Sequence, residues 1–159
     1  MTAFERWLHH LSSLLVGGTG LAYAIFLYLV TPADPYAVVH HPLQPLAQHL
    51  HVLFAPLLVF AVGLIWSRHV APRLLRKGFP RRVSGLALAA SFAPMVVSGY
   101  LMQIAADESW RQIWGWIHLG VSLLWTVAYV AHLVTPSIAG APTRHRRTAP
   151  DPSVLHKVT

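Results

Sequence analysis

Long apolar runs alternate with short polar ones along this chain, and the runs at 7–30, 45–66, 83–106 and 113–134 contain no Asp, Glu, Lys or Arg. An α-helix rises about 1.5 Å per residue, so about 20 such residues cross the roughly 30 Å hydrocarbon layer of a bilayer. The pattern predicts an all-α integral membrane four-helix bundle formed by residues 1–140, followed by a basic tail at 141–159. Pro, Thr and Arg without apolar periodicity make that tail an expected disordered segment. Pro56 and Pro94 lie inside the second and third runs, where they predict kinks whose freed carbonyls are satisfied by neighbours or by Ser91.

The polar intervals set the orientation. Arg68 to Arg82 holds six basic residues, and Arg144, Arg146, Arg147 and Lys157 follow the last run, whereas only Arg111 carries positive charge on the other side. The positive-inside rule then predicts cytoplasmic N and C termini. Residues 31–44 and the short stretch Asp107, Glu108 and Ser109 become external loops. Ala22-Tyr23-Ala24 has the small residues of a signal-cleavage site, but the apolar run continues to Val30, beyond the usual signal length.

Composition agrees with a membrane protein. The 159 residues are 55% hydrophobic and only 11% charged, and mean hydropathy is +0.50, against about one quarter charged in a soluble domain. The net charge of +7 does not imply a nucleic-acid partner, because such binding needs a basic groove interleaved with aromatics in a polar domain. Membrane lipid is the expected partner. With no cysteine, thiolate metal sites, disulfides, iron–sulfur clusters held by cysteine and covalent c-type haem are all excluded.

Histidine carries the candidate chemistry. Six of the eleven histidines fall within the runs: His9, His10, His49, His51, His118 and His132. Ionisable groups at such depth are costly enough to be functional candidates. His118 and His132 are 14 residues apart, about 40° short of four turns, so both leave one helix face about 21 Å apart. Two ligands on one face, one near each membrane surface, suggest two stacked haems. Helix direction alternates, which levels His9 or His10 with His132, and His49 or His51 with His118. His10 shares a stripe with Ser13, Gly17, Gly20 and Ala24, and His51 with Ala55 and Leu58; His9 and His49 stay open as alternatives.

Gly85 and Gly99 repeat the 14-residue interval on the third run. They would offer a gap at each level where a Cβ obstructs a cofactor. Ordinary small-residue helix packing is the plainer explanation. His69 follows His51 by 18 residues, five whole turns, and is a further candidate partner for His132, although Arg68 and Arg73 beside it suggest an interfacial role. Arg6, Arg68 and Arg73 are candidates to neutralise haem propionates, Ser13, Ser98, Ser122 and Thr126 to bond an imidazole, and Trp110, Trp114 and Trp116 to form an interfacial belt.

Trp7-Leu-His-His-Leu-Ser, Gln48-His-Leu-His-Val-Leu, and Ile117-His-Leu-Gly followed by Ala131-His-Leu-Val resemble the prokaryotic cytochrome b561 and related di-haem membrane cytochrome b family over residues 4 to 136. That resemblance implies a multi-pass protein of a prokaryotic inner (plasma) membrane with two non-covalent haem b groups, each held by two histidines. It pairs His10 with His132 on the cytoplasmic side and His51 with His118 outside. It also implies electron transfer between quinone or quinol and another redox protein or subunit. The doubled histidines depart from the family's single ligands. Two other classes compete: a histidine-lined transition-metal carrier, weakened by the lack of Cys and of intramembrane carboxylates, and a structural anchor whose histidines only bond between helices.

Overall fold

A computed structural model describes residues 1–32, 34, 36–75 and 82–135. The described residues form α1 (Ala3–Tyr28), α2 (Gln44–Ile65), a π-helical turn (Trp66–Val70), α3 (Ala71–Leu75), α4 (Arg82–Ile104) and α5 (Glu108–Val134). Four helices are long and apolar enough to cross a membrane: α1, α2 continued through the π-turn to Leu75, α4 and α5. The tail expected at 141–159, and Arg76, Lys77 and Arg81 of the basic linker, lie outside the described residues.

Helix ends differ from the apolar runs where capping or charge extends them. Thr2 caps α1 reciprocally: its hydroxyl accepts from Glu5 N at 3.1 Å, and the Glu5 carboxylate accepts from Thr2 N at 2.8 Å, satisfying two of the orphan donors of the first turn. Asp107 caps α5 by accepting from Trp110 N at 3.0 Å, so Glu108 and Ser109, expected in a loop, belong to the first helical turn. The second span runs on past the expected end at Trp66, because Arg68 and Arg73 can remain helical while their long stems carry charge to the interface. Both proline-containing helices are continuous. Ser91 donates to the Ala87 carbonyl at 2.6 Å, not to the Ala90 carbonyl that Pro94 leaves without its usual donor.

Close backbone approach is extensive within two antiparallel hairpins, α1 with α2 and α4 with α5, and sparse between them. Small residues allow the tight seams: Ser12, Ser13, Ser91 and Ser98 are all buried, and each hydroxyl donates to a carbonyl of its own helix. The hairpins meet mid-span through Val16, Leu58, Val62, Met95 and Trp125. Outward faces carry Leu14, Phe60 and Val127, an apolar exterior that suits hydrocarbon rather than water.

Candidate functional site

Two levels of histidine flank the central apolar cluster. At one level His51 of α2 and His118 of α5 face each other across the gap between hairpins, with ring centres 6.0 Å apart and planes at 71°. His51 Nδ1 lies 2.9 Å from the Val16 carbonyl of α1, and His118 Nδ1 lies 3.0 Å from the Met95 carbonyl of α4. A carbonyl only accepts, so each Nδ1 carries the proton and donates. Each Nε2 is then left with its lone pair, the state required of a metal ligand.

Glycine makes this arrangement possible. A Cβ on Gly20 would meet His51 Cε1 at 2.7 Å, and one on Gly99 would meet His118 Cε1 at 2.8 Å. Each glycine lies one helical turn beyond the carbonyl that holds the same imidazole: Val16 and Gly20 on α1, Met95 and Gly99 on α4. The two hairpins thus solve the same local problem in the same way. Gly99 and Gly85 were expected to clear space for a cofactor; in the structure the space they clear is occupied by the imidazoles themselves. Gly85 is looser, with its Cβ position 3.6 Å from His132 Cε1.

The other level is more open. A cavity of about 250 Å³ is lined by His9, His10, His69 and His132, with Arg6, Arg73 and Arg82 among its remaining walls. His132 Nδ1 and the Ser84 hydroxyl are 2.9 Å apart. The ring beside His132 is His69, with centres 6.4 Å apart and planes at 81°. His10, expected opposite His132, has its Nδ1 2.5 Å from the Tyr129 hydroxyl. His10 and His132 line the same cavity, which His69 joins because the second span continues past Trp66. His9 packs edge-on against Tyr129, and its buried Nδ1 has no hydrogen-bond partner.

Several further expectations sort themselves by geometry. His49 is exposed on the outer surface of α2, whereas His51 turns inward. Ser98 and Ser122 approach His118 at 3.4 and 3.5 Å, while Ser13 and Thr126 bond carbonyls of their own helices. Arg6 and Arg73 line the cavity, but Arg68 instead pairs with Glu5 at 3.6 Å. Arg82 was not singled out by sequence; it lines the cavity with a buried Nε that has no hydrogen-bond partner. Trp125, also missed, lies seven residues from both His118 and His132 on their shared face and stacks on Tyr129 at 5.3 Å. That equal spacing was its available signal.

The two inter-hairpin histidine pairs have similar spacing, with ring centres 6.0 and 6.4 Å apart. Among the described residues, no three His, Asp or Glu side chains group to hold a metal ion. Comparison with protein-family models, curated proteins and solved structures finds no match.

Proposed function

We propose that this chain is a di-haem membrane cytochrome b, with one haem held near each face of the bilayer, carrying electrons across it between the quinone pool and another redox protein. The carrying observation is the His51–His118 pair: ring centres 6.0 Å apart and both Nδ1 atoms committed to carbonyls, which leaves the Nε2 lone pairs for coordination, with only the long 3.5 Å approach of the Ser122 hydroxyl to His118 Nε2. The residues present fit haem on three grounds. The donors are neutral imidazoles, which avoid the cost of charge in hydrocarbon. Gly20 and Gly99 receive rings where a Cβ would collide. Arg82 Nε and His9 Nδ1, buried without partners, together with Arg6 and Arg73, offer donors and positive charge to the carboxylates of a propionate-bearing ligand.

Haem held by these histidines would supply one-electron redox chemistry. The chain's own task is to fix the imidazoles, keep water from the mid-span through Val16, Leu58, Val62, Met95 and Trp125, and neutralise acidic groups at the basic cavity. The inner (plasma) membrane of a prokaryote, with cytoplasmic termini, is the setting we propose from the distribution of Lys and Arg. A transition-metal carrier is the weaker reading, because a free cation would enter a cavity lined, among the described residues, by Arg6, Arg73 and Arg82 and by no carboxylate.

The purified, haem-loaded chain in liposomes containing trapped ferricyanide tests the reading. External dithionite should bleach the trapped oxidant far faster than in protein-free vesicles; equal rates would overturn transmembrane electron transfer. Reduction of the haem by a quinol analogue then marks a self-sufficient quinol oxidoreductase. Reduction that requires a second protein marks a membrane subunit of a larger enzyme.

A further inference from the structure

We infer that Tyr129 is a positioning residue of the inner, cytoplasmic-side centre: its hydroxyl accepts the Nδ1 proton of His10, leaves Nε2 for the iron, and lowers the potential of that haem alone. This rests on the di-haem reading above, with His10 and His132 at the inner level.

Tyr129 differs from the other groups that hold a candidate ligand. His51 Nδ1 meets the Val16 carbonyl inside the hairpin of α1 and α2. His118 and His132 meet the Met95 carbonyl and the Ser84 hydroxyl inside the hairpin of α4 and α5. His10 stands on α1 and Tyr129 on α5, so the 2.5 Å contact between His10 Nδ1 and the Tyr129 hydroxyl crosses from one hairpin to the other. Close backbone approach between the hairpins is sparse, and a long side chain is needed to span the gap. The Tyr129 ring is held for that purpose: it stacks on buried Trp125 with centres 5.3 Å apart and planes at 7°, and it packs against the mid-span cluster. A ring clamped in this way presents its oxygen at a fixed place in the wall of the cavity.

The direction of the hydrogen bond follows from the chemistry of ligation. A phenol can donate or accept. Donation to Nδ1 would put the proton of the neutral imidazole on Nε2, where no lone pair would remain for a metal. Ligation by His10 therefore requires Nδ1 to donate to the phenol oxygen. Such a bond makes the ligand more basic. A more basic nitrogen favours the ferric state and lowers the potential, one of the levers a protein has on haem. His9 lacks an equivalent group: its buried Nδ1 has no hydrogen-bond partner, and its ring lies edge-on to Tyr129 at 5.7 Å.

Redox titration of the purified full chain at saturating haem tests this. Tyr129→Phe keeps a ring on Trp125 and removes only the oxygen. It should retain two haems, with the midpoint potential of one shifted upward and that of the other unchanged. 3-Fluorotyrosine placed at position 129 preserves the ring and hydroxyl while weakening the oxygen as an acceptor, and should shift the same haem by a smaller amount. In His10→Met, which leaves no Nδ1 to hold, adding Tyr129→Phe should produce no further shift. Unchanged potentials in Tyr129→Phe and with 3-fluorotyrosine, or a shift that persists in His10→Met, overturn the role of Tyr129 and leave the di-haem reading standing. A wild-type chain with no b-type haem overturns both.

Discussion

His51 and His118 belong to different hairpins, yet each donates Nδ1 to a carbonyl one turn before the glycine that its ring covers, Val16 before Gly20 and Met95 before Gly99. A methyl group at either glycine would meet the ring below 3.0 Å, where the imidazole must shift. Gly20→Ala and Gly99→Ala should therefore each weaken the outer haem by about 10- to 100-fold, following overpacking costs of about 1–3 kcal/mol. Gly85→Ala adds a methyl at ordinary contact distance, 3.6 Å from His132, and should leave both haems in place. Haem titration of the three variants checks the contrast, and equal effects at Gly85 and Gly99 would contradict it.

Ser84 should tune the inner centre. Its hydroxyl is 2.9 Å from His132 Nδ1, and groups that fix a ligand's second nitrogen are worth about 10- to 100-fold in metal affinity. Ser84→Ala should lower inner-haem affinity by that order and leave the outer haem unchanged. A redox titration resolving the two haems is the check.

Trp125 holds the hairpins together between the two levels. It is 6% exposed and packs in the cluster with Val16, Leu58, Val62 and Met95. Truncating a buried aromatic typically costs about 3–5 kcal/mol, so Trp125→Ala should lower the thermal midpoint in detergent clearly, whereas Trp125→Phe should recover much of it. A variant as stable as wild type would show that the hairpins are held by something else.

Membrane orientation is accessible because the chain contains no cysteine. Val38→Cys and Leu75→Cys place single thiols at positions that are 86% and 85% exposed. With both termini cytoplasmic, a membrane-impermeant maleimide added to intact cells should label Cys at 38 and spare it at 75. The reverse pattern would invert the assignment of inner and outer haems.

The four spans were legible because a bilayer imposes a length of apolar chain that few soluble helices match. The shared face of His118 and His132 was legible too, since phase along a single helix follows from residue spacing. Pairing across helices was not. Nearly every position in these spans is apolar, so hydrophobicity does not distinguish the face turned to lipid from the face turned inward, and His49 could not be separated from His51 until the structure left His49 outside. The continuation of the second span through Arg68 and His69 was not legible, because Arg68 and Arg73 suggested a helix already at its end and the π-turn has no simple sequence signature. Trp125 looked like one apolar residue among many, although its sevenfold spacing from both histidines was visible.

The most direct measurement is the haem content of the purified wild-type chain together with its low-temperature EPR spectrum. The account expects two haem b per chain, both low-spin, because two histidines would hold each iron. A chain that carries no b-type haem, or whose haems are high-spin with an open axial position, would contradict it.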